Sequence, residues 1–237
     1  MTREEQAVRV ISQKIEGIPA LIWGESSEKV CLCVHGKMSS KEAAEGIAQI
    51  LALRGCQTIS FDLPQHGERK AEDRRCDIWN GMHDLKIICE YVFGRWKEVS
   101  LYACSLGAYF SLNVCQNYPF RKCLFQSPIV DMEYLIRQMF LWFDISEERL
   151  EQEQEIDTPV DMMTWAYFQY VLSHPVSQWR IPTSILYAGR DNLQSSAVIH
   201  DFASRFGCEV TISENSEHPF MQETDFSIVN QWLHDHL

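Results

Sequence analysis

Continuous apolar runs alternate with amphipathic stretches along most of the chain. Val8 to Ile15 and Ile18 to Trp23 read as two strands joined near Gly17. The run KVCLCVHG (29–36) is apolar almost throughout until its terminal His-Gly, as in a strand covered on both faces of a parallel sheet. SSKEAAEGIAQILALRG then predicts a helix, capped by Ser39 with Glu42 as its reciprocal partner and stopped at Gly55. TISFDLP (58–64) is the next strand, and a polar loop runs to about Asp77. A helix follows from about His83 to Trp96, then the strand EVSLYAC (98–104), a helix from Leu106 to Tyr118 closed by Pro119, and the strand KCLFQSP (122–128). The same alternation returns late in the chain. It gives TSILYAGRD (183–191), a helix from about Ser195 to Phe206, the strand CEVTIS (208–213) and a final helix from about Asp225.

Between these two parts the alternation lapses. Residues 131–180 are rich in Trp, Met and Phe, with the acidic stretch EERLEQEQE (147–155) between aromatic segments. Thr158-Pro159, with Asp161 in the first turn, predicts a helix start there. Strands alternating with helices imply an α/β fold with a mainly parallel central sheet flanked by helices. The core is then 1–130 plus 181–237, and 131–180 is an insert of two or three helices.

Composition narrows the classes. The chain has 237 residues, 46% of them hydrophobic, enough for one sizeable core. No apolar run approaches the roughly 18 residues of a membrane span. The charged start MTREEQAVRV does not read as a secretory signal, so a cytoplasmic location is expected. A net charge of −12 disfavours nucleic acid and anionic lipid as partners. The nine cysteines include no CxxC pair and read as small buried hydrophobes, although a reactive thiol among them stays open.

The candidate chemistry lies at strand ends, where parallel sheets gather functional groups. Ser105 ends the strand at 98–104, and the chain must turn sharply there into a helix. Ala103 and Gly107 leave the turn room, and the first backbone N–H groups of the helix face the same side. Ala103-Cys104-Ser105-Leu106-Gly107 resembles the G-x-S-x-G nucleophile elbow of the α/β-hydrolase superfamily, with alanine for the first glycine. The resemblance covers nearly the whole chain apart from the insert. VHGK (34–37) matches the turn whose backbone N–H forms half of an oxyanion hole, which implies Lys37 and Leu106 as the two donors. DLPQHGER (62–69) matches a segment beneath the site, with Asp62 and His66 tying the loop. YAGRDN (187–192) and SEHPF (216–220) supply Asp191 and His218. The order Ser105, Asp191, His218 is the one this superfamily uses. The implied roles are nucleophile, orienting acid and general base. Asp131, after the preceding strand, is the rival acid, since some members take theirs there. His66, His174 and His200 compete only faintly for the base.

In this superfamily an insert at 131–180 is a cap that selects substrate. Apolar residues recur in it at helical spacing, and Met139, Phe143, Met162 and Trp165 are the candidate substrate contacts. The implied activity is that of a serine hydrolase resembling capped esterases and monoacylglycerol lipases. It would cleave small-molecule esters of small or medium apolar acyl or aryl groups through an acyl-enzyme, with no cofactor and no metal. A peptidase, amidase or thioesterase of the same fold, or a ligand-binding protein without turnover, are the alternatives. Oligomeric state is not legible.

Overall fold

A computed structural model describes residues 8–237. An antiparallel pair, β1 (Val10–Ile15) and β2 (Ile18–Trp23), opens the sheet. Then come β3 (Lys29–Val34), α1 (Glu45–Ala52), β4 (Gln57–Phe61), α2 (Ile78–Phe93), β5 (Glu98–Cys104), α3 (Leu106–Val114) and β6 (Cys123–Gln126). The chain leaves the sheet for α4 (Met132–Phe143), α5 (Glu147–Glu153), the hairpin β7 (Glu155–Asp157) and β8 (Met162–Thr164), and α6 (Trp165–Ser173). It returns through β9 (Thr183–Ala188), α7 (Ser196–Phe206), β10 (Glu209–Ser213) and α8 (Glu223–His236). The main sheet has eight strands in the order β1-β2-β4-β3-β5-β6-β9-β10, parallel from β4 onward. No helix among the described residues is long and apolar enough to cross a membrane.

The strands that read as continuous apolar runs are the central ones. β3 is buried from Val30 to Val34, and every residue of β4 and β6 is buried. Helices cover both faces there, and each fully buried Val, Leu or Phe contributes about 1.5–3 kcal/mol. The edge strand β10 keeps no fully buried residue.

Several element boundaries depart from the sequence reading. The Ser39–Glu42 capping box does not form. Ser40 stands at the cap position without a side-chain bond, because the Lys41 amide donates instead to Asp62 Oδ1 at 2.9 Å. The first turn there is a tight 3-10 turn, Lys41–Ala44. α2 begins five residues before His83, at Ile78, because Asp77 accepts the Asn80 N–H at 2.8 Å and caps it. α3 ends as α-helix at Val114, and Tyr118 is extended, as a residue before proline must be. Thr158-Pro159 starts no helix. Thr158 Oγ1 accepts from the Val160 and Asp161 amides and closes the β7–β8 turn. The helix that follows is capped instead by Thr164, which accepts from Tyr167 N at 3.1 Å.

Candidate active site

Ser105 stands between β5 and α3 with φ 51° and ψ −119°. A left-handed φ at a non-glycine residue costs on the order of 1–3 kcal/mol and persists only where its surroundings fix it. Here the fixing contact is a close backbone approach. A Cβ at Gly107 would lie 2.4 Å from the His35 carbonyl oxygen and 2.5 Å from that of Val34. A Cβ at Gly36 would lie 3.0 Å from Ser105 Cβ. Glycine at both positions lets the turn after β3 and the turn after β5 touch.

Two loops from the far half of the sheet reach the serine. Ser105 Oγ lies 2.8 Å from His218 Nε2, and His218 Nδ1 lies 2.7 Å from Asp191 Oδ2. Asp191 Oδ1 also accepts the Leu193 and Gln194 amides at 2.8 and 3.2 Å, so the carboxylate is held as an acceptor. The His218 proton therefore sits on Nδ1, Nε2 offers its lone pair, and the Ser105 hydroxyl donates to it. The Asp191 and His218 side chains are 1% and 9% exposed, so water competes little for these bonds.

Asp131 is not brought to His218. It caps α4 by accepting the Tyr134 N–H at 2.9 Å, and its own amide donates to Gln194 Oε1. His66 Nε2 accepts the Met38 N–H at 3.0 Å, His174 stacks on Tyr170, and His200 is exposed on α7. None of the three reaches Ser105.

Sequence reasoning missed the braces behind the site. Buried Gln194 accepts from the Val130 and Asp131 amides and donates to the Asp131 carbonyl, joining the loop after β6 to the Asp191 loop. Asp225 accepts from Ser216 Oγ at 2.6 Å and from the Gln222 amide at 3.0 Å, anchoring the segment that carries His218. Gln126 donates to the Pro219 carbonyl at 2.8 Å and accepts from the Tyr102 hydroxyl. Only the Gln222–Asp225 pair had a sequence signal, a capping-box spacing at the start of α8.

Lys37 and Leu106 line one cavity of about 890 Å³, together with Ser39, Glu42, Glu68 and Lys70. In its wall, buried Lys41 places Nζ 2.9 Å from Asp62, Glu42 and Glu68. Burial alone would lower the Lys41 ammonium, but hydrogen bonds to Glu68, Asp62 and Glu42 outweigh it and raise it above an ordinary lysine. Asp62 also accepts the Glu68 amide at 3.0 Å, and a Cβ at Gly67 would collide with its carboxylate. His35 donates from Nδ1 to the Gly36 carbonyl and accepts the Leu63 N–H on Nε2 at 3.1 Å, and burial lowers it to about 4. Met139, Phe143 and Trp165 pack against the core, and neither they nor Met162 line this cavity. Burial, with Asp191 nearby, pushes the Cys104 thiol up to about 12, so a neutral thiol flanks the serine. Among the described residues, no group of three or more His, Cys, Asp or Glu could hold a metal ion.

No family model matches the chain. A serine hydrolase-like protein of Dictyostelium discoideum is 29% identical over 104 residues, which is 43% of this chain and only 29% of that protein's length. Among solved structures, Est1E from Butyrivibrio proteoclasticus with ferulic acid bound superposes with a TM-score of 0.77 at 15% identity, covering 95% of this chain and 97% of its own. The mouse alpha/beta hydrolase domain-containing protein 10 gives 0.76 at 14%, covering 98% of each. An esterase of Pyrococcus furiosus gives 0.67 at 17%, covering 96% of this chain and 91% of its own.

Proposed function

Starting from the α/β-hydrolase fold, which this chain has in common with those structures, we propose that it is a serine hydrolase acting on carboxylic esters through an acyl-enzyme. The observation that carries the reading is the unbroken hydrogen-bonded line from Ser105 Oγ through His218 to Asp191, at 2.8 and 2.7 Å. Ser105 attacks the ester carbonyl while its proton passes to His218 Nε2. The imidazolium then protonates the leaving alcohol, and water reverses the sequence to free the acid. Asp191 holds the imidazole in the required tautomer and stabilises its charged form. The Lys37 and Leu106 amides stabilise the oxyanion; both residues line one cavity, which Ser105, Asp191 and His218 do not line. One such donor is worth about 10²–10³ in rate.

Residues 131–180 act as a cap in this reading. Ser39, Glu42, Glu68 and Lys70 give the cavity a polar wall, which favours a polar group on the portion of the ester lying there. The small or medium apolar acyl or aryl group then lies elsewhere, toward the partly buried side chains of the cap. A fluorophosphonate probe tests the reading. Wild type is expected to label and Ser105→Ala not to; equal labelling of the two removes Ser105 from the chemistry.

A further inference from the structure

The serine-hydrolase reading leaves the Lys37 side chain without a part. That side chain is partly exposed, but its ammonium group is engaged. Its Nζ donates to the Val160 carbonyl at 2.7 Å and pairs with the Asp161 carboxylate, both on the turn between β7 and β8. The residue offered as an oxyanion donor is thus tied, more than 120 positions along the chain, to the inserted segment.

We propose that Asp161 is a positioning residue: through the Lys37 side chain it adds to the core's hold on the Lys37 backbone, so the inserted segment tunes the oxyanion site. The inference rests on the serine-hydrolase reading.

The rest of the turn is held from the core side. Gly36 sits against Ser105, His35 accepts the Leu63 amide, and His66 accepts the Met38 amide. Met38 has φ 61°, a left-handed conformation that methionine keeps only when its neighbours impose it. His35 also holds the Gly36 carbonyl, the other end of the peptide that carries the Lys37 N–H, at 2.7 Å. The tether to the hairpin adds a hold on the Lys37 residue from the side away from the core. The hairpin is a firm post for this purpose. Ile156 and Met163 are buried, and Arg75 grips Glu155 with two bonds of 2.9 and 3.2 Å. Thr158 closes the turn, and Asp161 Oδ1 accepts the Met162 amide, which orients the carboxylate toward Lys37. Both partners are partly exposed, at 37% and 55%, so the tether is modest in strength and open to screening by salt.

Positioning and simple electrostatics act in opposite directions. Were Lys37 only a positive charge near the oxyanion, removing Asp161 would unmask that charge and speed reaction. If the tether positions the amide, the same change slows it. The experiment is the kinetics of fluorophosphonate labelling, resolved into KI and kinact, for wild type, Asp161→Asn, Lys37→Met, their double variant and Glu155→Gln. In labelling, Ser105 Oγ bonds to phosphorus, fluoride leaves and the hydroxyl proton passes to His218, so the phosphoryl oxygen uses the oxyanion donors. Asp161→Asn and Lys37→Met are each expected to lower kinact about three- to fivefold, the range of one exposed ion pair. KI should stay within about twofold, and the double variant should be no slower than either single one. Glu155→Gln, which loosens the hairpin base without touching Lys37, is expected to stay within about twofold of wild type in kinact. An unchanged or faster Asp161→Asn, an equal loss in Glu155→Gln, or an effect confined to KI overturns the proposal. Wild type that fails to label overturns the serine-hydrolase reading itself, and this inference with it.

Discussion

Asp191 and Asp161 each stand on a turn, and each has one carboxylate oxygen engaged by nearby backbone N–H and the other by a cationic or polar side chain. One is 1% exposed and the other 55%. Asp191 belongs to the sheet core, where Gln194, Asp225 and Gln126 lock the loops through buried hydrogen bonds. Asp161 belongs to the segment between β6 and β9, which meets the core loops near the site through exposed pairs, Lys37–Asp161 and Arg75–Glu155. Buried polar braces fail expensively and ignore salt; exposed pairs contribute little and respond to it. The core therefore sets whether the site's side chains meet, and under the proposed tether the inserted segment adjusts how well Lys37 is presented.

The largest expected effect tests the core side. Asp191→Asn should lower kcat on a nitrophenyl ester by about 10⁴, since the imidazole then takes the wrong tautomer. Asp131→Ala should leave kcat within about twofold and cost about 0.5–2 kcal/mol of stability as a lost helix cap. Similar activity losses in the two would undo the assignment of Asp191 as the orienting acid.

Next comes the ion pair under the turn after β3. Lys41→Met leaves the buried Asp62 carboxylate without its counter-ion, held only by the Lys41 and Glu68 amides, and should cost about 3–5 kcal/mol in urea unfolding. A cost below about 1 kcal/mol would show that this brace is no stronger than the exposed pairs.

A smaller effect comes from pH. His35 in the folded chain is lowered to about 4 by burial, against an ordinary value near 6.5. The unfolded chain therefore binds the proton first. The stability that His35 contributes is full above about pH 6.5 and is lost as pH falls toward 4, by about 3 kcal/mol in all. Protonation also removes the acceptor for the Leu63 amide. Thermal unfolding from pH 7 to 4.5 should drop more steeply in wild type than in His35→Gln, and parallel curves would exclude His35 as the source.

The smallest effect tests the inserted segment. Raising NaCl from about 0.05 to 0.5 M should slow wild-type labelling by up to about threefold and Asp161→Asn much less. Equal salt sensitivity in both would place the screening elsewhere.

The legible features were the local ones. KVCLCV is a strand buried on both faces, and its apolar run announced that. The Ser105 turn was readable from Ala103 and Gly107, because a strand that bends into a helix at a serine needs small neighbours. Thr158-Pro159 misled because Thr and Pro suit a helix start and a hairpin turn equally, and only the pairing of β7 with β8 separates the two. The Ser39 cap failed for a related reason: Asp62, on the next strand's loop, accepts the Lys41 N–H that the Ser39 hydroxyl would have accepted as a local cap.

From its own pattern the chain determined the strand and helix succession and the tight turn at Ser105, each of which depends on neighbours a few residues apart; the roles of Asp191 and His218 came only from the family resemblance. Tertiary structure brought Asp191 rather than Asp131 to His218, recruited Gln194, Asp225 and Gln126 as braces, and turned the Lys37 side chain toward Asp161. Those outcomes depend on distances between segments remote in sequence, and the spacing of residue types along a chain carries no such distances until the sheet is assembled.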